Sequence, residues 1–234
     1  MLVINEMFYS LQGEGTYTGR PSIFIRTSGC NLRCGYCDTP YTSINPEGTN
    51  TKISDIIKKI EKEWSDCHHI VITGGEPMIN KKMPRLVDAL KARNNFITVE
   101  TNGTIFNPAV QPDLFSISPK TKNSNPAVNS EQGIQDRILH IKNNRLENSI
   151  PKFIESDIEY QIKFVVEGHS DLIEIDDFIL KYGIENRNVF LMPEGITREV
   201  QRARELEIAE ICKNRGFNFC PRLHIELWGT KRGV

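Results

Sequence analysis

Cys30, Cys34 and Cys37 stand in one short segment, Gly29-Cys-Asn-Leu-Arg-Cys-Gly-Tyr-Cys-Asp38. A four-iron cluster that only carries electrons is normally held by four thiolates, whereas CxxxCxxC without a nearby fourth cysteine fastens it by three irons. The remaining iron keeps an open coordination position, so the spacing points to chemistry at the cluster. A structural zinc ion would want a second ligand pair such as CxxC or HxxxH further along, and three unrelated thiols would leave the neighbouring motifs without a purpose. Cys67, Cys212 and Cys220 are scattered singly among apolar residues and are expected to be small buried hydrophobes, not ligands.

Short β-rich runs at 22–26, 69–73, 96–100, 114–118, 160–166 and 188–192 read as buried strands. Helical patterns separate most of them. The stretch 54–64 opens on a Ser54 cap and gathers Ile56, Ile57, Ile60 and Trp64 on one face, and 83–92 does the same with Leu86, Val87 and Leu90. Further helices are predicted over 131–142, 171–182 and 198–215, the last two ended by Gly183 and Gly216 as left-handed caps. His68 and His69 precede a strand and are expected to be structural. The polar stretch 120–132 reads as a long, mobile loop.

Such alternation implies a parallel sheet with right-handed crossovers, either open and doubly wound or curved toward a barrel. Thr73-Gly-Gly-Glu-Pro77, Glu100-Thr-Asn-Gly103, Ser118-Pro-Lys120, Met192-Pro-Glu-Gly195 and the cysteine loop each follow the carboxyl end of a predicted strand. That is the rim where barrel enzymes assemble their sites, so the placement favours curvature.

The chain has 234 residues, enough for one sizeable core, and no linker divides it, so 1–234 is expected to be a single α/β domain. With a formal charge of −1 and dispersed basic residues, there is no electrostatic case for nucleic acid or a membrane surface, and a small partner is favoured. The N-terminal residues lack a basic region followed by an apolar run, and no stretch approaches membrane-spanning length. The expectation is a soluble, cytoplasmic protein in a reducing compartment that would protect an oxygen-sensitive cluster.

An open iron needs a small bidentate ligand, and the amino and carboxylate groups of S-adenosylmethionine supply one. Cys30, Cys34 and Cys37, with Tyr36 before the last cysteine and Gly74-Gly-Glu-Pro77 after the second strand, resemble the radical S-adenosylmethionine superfamily. The resemblance implies a partial, curved (β/α)6-type barrel with a C-terminal extension. It also implies that Tyr36 lies near the adenine and that Gly-Gly-Glu-Pro offers backbone carbonyls and a carboxylate to the methionine ammonium. Leu11-Gln-Gly-Glu-Gly15, Gly19-Arg-Pro21, Arg26, Cys37-Asp-Thr39, Glu100-Thr-Asn-Gly-Thr104, Ser118-Pro-Lys120 and the ending from Pro221 to Val234 narrow this, almost over the full chain. Together with Thr73–Pro77 they resemble the 7-carboxy-7-deazaguanine synthase family. That family contracts 6-carboxy-5,6,7,8-tetrahydropterin with loss of ammonia, on the route to queuosine.

Carried over residue by residue, the resemblance implies substrate contacts at Leu11, Gln12, Gly13, Arg26 and Thr73, with Glu14 also well placed. A pterin edge needs paired donors and acceptors, and a substrate carboxylate suits the fork of Arg26. Contacts to S-adenosylmethionine fall on Tyr36, Cys37, Asp38, Gly75 and Ser118-Pro119-Lys120. A further one lies in the turn after the sixth strand, where Met192-Pro stands in place of the Gln-Pro of some relatives. Thr39 is implied as a magnesium ligand, bridging a hydrated ion to substrate oxygens. The implied chemistry is hydrogen abstraction from the pterin C6 by a 5′-deoxyadenosyl radical, then rearrangement, with Glu14, Lys120 and Glu76 as candidates for proton handling. A flavodoxin-type reductant and a homodimer are the implied partners. A glycyl-radical activating enzyme shares the cysteine spacing, but Leu11–Gly15 argues against it. A non-catalytic cluster module leaves Gly74–Pro77 and Ser118–Lys120 unexplained.

Overall fold

The computed structural model describes residues 1–234. In chain order the elements are β1 (Leu2–Leu11), β2 (Pro21–Thr27), β3 (Thr49–Thr51), α1 (Ile53–Glu63), β4 (His69–Gly74), α2 (Met83–Lys91), β5 (Phe96–Thr101) and β6 (Leu114–Ile117). There follow α3 (Glu131–Asn143), α4 (Ile150–Ile154), β7 (Glu159–Val166), α5 (Leu172–Tyr182), β8 (Val189–Pro193), α6 (Arg198–Arg215), β9 (Asn218–Phe219) and α7 (Leu223–Trp228).

All strands join one nine-stranded sheet in the order β3-β1-β2-β4-β5-β6-β7-β8-β9. From β2 to β9 every neighbouring pair is parallel, which brings the carboxyl ends of the predicted strands to one rim. β1 runs antiparallel to β2 and β3, and the two edge strands β3 and β9 do not pair, so the sheet stays open as a partial barrel.

The two faces of the sheet differ in chemistry. A cluster of 32 buried residues, including Ile23, Ile25, Ile70, Ile72, Ile97 and Val99, receives the stripes Ile56–Ile57–Ile60 of α1 and Leu86–Val87–Leu90 of α2. The central strands are therefore almost wholly buried, as parallel strands covered on both faces must be. Glu100, Ser116 and Gln161 stand opposite one another in register across β5, β6 and β7, and Lys163 lies two residues beyond Gln161 on the same face. This row of polar side chains, buried at Ser116, Gln161 and Lys163 and half-buried at Glu100, forms a floor beneath the rim.

Several local expectations change. β1 was not anticipated; its inward and outward residues do not alternate cleanly, because both of its edges are paired and one end borders the site. Ser54 is not the cap of α1, which starts at Ile53 with Lys52 at the cap position and no side-chain cap bond, while Ser54 Oγ donates to Asp55 instead. Gly183 and Gly216 do end α5 and α6 in the left-handed region, at φ +64° and +68°. The first part of stretch 120–132 is bound down, since Asn123 donates to Val165 O and Asp171 and Ser124 Oγ meets His140 Nε2 at 3.0 Å, while 127–132 is exposed. His69 is buried between Ser22 Oγ and Thr98 Oγ1, at 2.7 and 3.0 Å.

Candidate active site

The loops at the rim enclose a cavity of about 580 Å³. Cys30, Cys34 and Cys37 line one wall, and the loop carrying them is fixed from three directions. Asn31 is held by Asn102 and Thr104 after β5 and by Asn143 of α3, the Arg33 amide donates to His140 Nδ1, and the Gly35 amide donates to Ser124 O. The Leu32 amide lies 3.4 Å from Cys30 Sγ, a donor suited to a thiolate. Burial pushes the Cys30 and Cys34 thiols up to about 11 and about 12, so loading metal here releases protons. No three His, Cys, Asp or Glu side chains close around a single ion. Three thiols from one loop with no fourth protein ligand beside them suit a four-iron group with one open iron better than a structural zinc ion, which takes four protein ligands.

Gly75 lines the cavity beside this loop, and a methyl group there would stand 2.3 Å from Gly29 O and 2.8 Å from Thr42 O. Only glycine lets β4 approach the start of the cysteine loop this closely. Glu76 does not reach the cavity. It is fully buried and accepts from the Met78 amide at 2.9 Å, Thr101 Oγ1 at 2.8 Å and the Asn102 amide at 2.6 Å, which ties the end of β4 to the end of β5. Its expected roles toward the methionine ammonium and in proton handling give way to a structural one. Tyr36, Asp38, Ser118 and Lys120 do line the cavity, the last donating to Ser118 Oγ at 2.6 Å, whereas Pro119 is buried behind the turn. Thr39 lines it too, its hydroxyl 4.0 Å from Cys37 Sγ. Met192 and Glu194 supply the expected wall after β8, with Glu194 paired to Arg204.

Leu11, Gln12, Gly13, Glu14, Arg26 and Thr73 line the same cavity. Arg26 donates from Nε to Glu6 at 2.7 Å and lies 5.6 Å over the Phe8 ring, itself stacked on Phe24 at 4.9 Å. Its terminal nitrogens make no hydrogen bond within the chain and remain for an anion. Glu14 Oε2 accepts from Lys163 at 2.8 Å and Oε1 from Arg222 at 3.2 Å. Burial pushes the Glu14 carboxyl up, but Lys163 and Arg222 outweigh it and hold the group far below the usual carboxylate range. It stays ionised and cannot serve as a resting acid. Arg222 also donates to Asp38 and to Gly195 O, joining the cysteine loop, the β1–β2 turn and the turn after β8.

Reading the chain from its motifs placed Glu100 at the rim without giving it a role, and missed Phe8, Phe24, Lys163, Arg222 and His224 as lining residues. One signal was present: a lysine inside the apolar run of β7 is seldom buried without a partner. Segment 229–234 also lines the cavity; Arg232 holds it by lying 3.5 Å over the Tyr41 ring and 3.1 Å from Glu47.

Comparison with known proteins agrees with this arrangement. The family model described as the radical SAM superfamily matches residues 24–123. A 7-carboxy-7-deazaguanine synthase of Rhodopirellula baltica is 40% identical over all of this chain and 89% of its own length. That of Halobacterium salinarum is 39% identical over 97% of this chain and 90% of its own length. The crystal structure of QueE from Escherichia coli superposes with a TM-score of 0.65 and 27% identity, covering 95% of this chain and 94% of that one. Streptococcus suis SuiB shares the fold alone, at TM-score 0.51 and 18% identity over 84% of this chain and 47% of that one. With the thiol triad, the polar wall and the full-length likeness in agreement, the chain belongs to the 7-carboxy-7-deazaguanine synthase family of the radical SAM superfamily.

Proposed function

We propose that the cavity holds S-adenosylmethionine beside 6-carboxy-5,6,7,8-tetrahydropterin, and that the chain acts as a carbon–nitrogen lyase, contracting the pterin ring to 7-carboxy-7-deazaguanine with loss of ammonia. One observation carries this: the three thiols of the cysteine loop line the same cavity as the Gln12, Glu14 and Glu100 acceptors and the Arg26 fork. Cys30, Cys34 and Cys37 would hold the four-iron cluster, which with S-adenosylmethionine supplies hydrogen-atom abstraction from carbon. The protein positions the reacting carbon and keeps water out.

Arg26, fixed by Glu6 and Phe8, receives the substrate carboxylate through its terminal nitrogens. Gln12, Glu14 and Glu100 receive the amino and ring N–H groups of the pterin. Glu14 does so as a permanent anion, which leaves Lys120 as the group holding a proton for the departing nitrogen. The Thr39 hydroxyl offers a hard oxygen at the cavity wall, suited to a magnesium ion that keeps most of its waters. A flavodoxin-type protein is the proposed reductant.

The test is anaerobic. The reconstituted enzyme receives S-adenosylmethionine, reductant, magnesium and the tetrahydropterin, and 7-carboxy-7-deazaguanine is followed by mass spectrometry. Product that vanishes with Cys34→Ala supports the reading. Reductive cleavage of S-adenosylmethionine without that product would discard the substrate, and no cleavage at all would discard the enzyme. Omitting magnesium, and separately Thr39→Ala, tests the metal: an unchanged KM for the pterin in both would remove Thr39 from the site.

A further inference from the structure

Lys163 is almost wholly buried in β7, with 1% of its side chain exposed, yet its ammonium ends at the cavity floor. It bonds Glu14 Oε2 at 2.8 Å and Glu100 Oε2 at 2.7 Å, so one cation bridges a carboxylate from the β1–β2 turn and one from β5. Gln12 completes the arrangement by donating from Nε2 to Glu100 Oε1 at 3.2 Å, while its Oε1 accepts from the Glu14 amide. We infer that Lys163 is the positioning residue of the substrate edge: it holds Glu14 and Glu100 side by side as an ionised acceptor pair that selects a ligand edge built of N–H donors. This rests on the pterin reading above, and goes beyond it by assigning specificity to a residue that need not touch the ligand.

The charges on every element facing Lys163 support this. Glu100, Glu14 and the nearby Asp38 of the cysteine loop bring three carboxylates, against the two cations Lys163 and Arg222, and Arg26 on β2 is balanced by its partner Glu6. His224 of α7 adds none, since burial pushes its imidazole below the ordinary value, and the buried Cys220 thiol is pushed up to about 12 and stays neutral. Three negative charges against two positive leave one negative charge beside the cavity. Burial disfavours the Lys163 ammonium, but Glu100 and Glu14 outweigh that and keep it charged. Without it, two like charges share a poorly solvated space, and one carboxylate takes a proton or swings away. A protonated carboxyl presents a donor where the ligand also presents one, so the selection for a 2-amino edge over a 2-oxo edge would be lost.

The test compares 6-carboxypterin with 6-carboxylumazine, its 2-oxo counterpart, by calorimetry on the anaerobic cluster-loaded enzyme without reductant. The wild-type enzyme is expected to favour the pterin by about 10- to 100-fold, the range for hydrogen bonds to charged groups. Lys163→Met should weaken pterin binding by a similar factor and bring the two ligands level. Lys163→Arg, which keeps the cation, should restore at least part of the preference. In turnover, kcat/KM of Lys163→Met should fall off on the acid side at a higher pH than in the wild-type enzyme, which a merely structural cavity defect would not produce. Glu100→Gln, nearly isosteric, should also level the ligands and covers the case in which Lys163→Met does not fold. A folded Lys163→Met, or Glu100→Gln, that keeps the wild-type preference overturns the inference. Failure of the wild-type enzyme to bind either pteridine or form product overturns the underlying pterin reading, and the inference with it.

Discussion

Glu76 offers the sharpest separation between a structural and a ligand-binding role. Its carboxylate is fully buried and meets three donors of the chain at 2.9, 2.8 and 2.6 Å, with no cation bonded to it. Glu76→Gln keeps the shape. One amide oxygen can still accept from the Met78 amide and Thr101 Oγ1, but the amide nitrogen then faces the Asn102 N–H, donor against donor. Losing one bond to a charged acceptor and leaving a buried amide unpaired costs about 2 kcal/mol. In a chain of this length that lowers Tm by about 4–8 °C. Glu76→Ala removes all three bonds and leaves a void, for about 4 kcal/mol and roughly twice the shift. Thermal unfolding of the cluster-free protein, with S-adenosylmethionine binding measured on the loaded enzyme, checks both. If Glu76→Gln unfolds within 1 °C of wild type yet loses S-adenosylmethionine binding, the carboxylate faces the ligand and the structural account is wrong.

Three further outcomes are expected. Gly75→Ala sets a methyl 2.3 Å from Gly29 O, immediately before Cys30, and backbone cannot yield as a flexible side chain would; overpacking of this kind costs about 1–3 kcal/mol, and iron loading should fall several-fold. Full iron content in that variant would show that the loop tolerates displacement. His69 and His140 are both buried and pushed down to about 4 by burial, whereas an unfolded imidazole titrates near 6.5. The unfolded chain therefore binds these protons first as pH falls: the stability is fully present above about 6.5 and is lost down to about 4, with each histidine costing about 2 kcal/mol at pH 5. Urea unfolding of the cluster-free protein at pH 7 and pH 5 measures this, and equal stabilities would contradict it. Arg232→Ala removes the contact over Tyr41 and the pair with Glu47, together about 1 kcal/mol, so amide exchange across residues 229–234 should rise several-fold. Unchanged protection would mean that Arg232 does not hold the segment.

The parallel strands and the cysteine wall were legible because each depends on local signals. Runs such as Ile70–Ile72 are apolar on both faces, and the cysteine spacing lies within one loop. Glycine caps at Gly183 and Gly216 are local as well. β1 was not legible, since its partners β2 and β3 lie on either side and its half-exposed residues follow neither period. Glu76 misled for a different reason: its place beside Gly75 shows which loop it belongs to, but not that its carboxylate turns toward Thr101 and Asn102.

The polar wall was legible only at its loop end. Gln12, Glu14 and Arg26 sit in a recognisable turn and strand, whereas Glu100, Lys163 and Arg222 come from separate places and acquire meaning only as a network. Each alone has a costly position: a lysine amid apolar β7 residues, a glutamate inside β5, an arginine buried against the β1–β2 turn. With Glu14 and Asp38 beside them, these groups neutralise one another except for a single negative charge. A burial pattern read strand by strand registers three anomalies. The sheet register, which sets β5 beside β6 and β6 beside β7, turns them into one surface and explains why such expensive groups are kept where the fold would otherwise place aliphatic side chains.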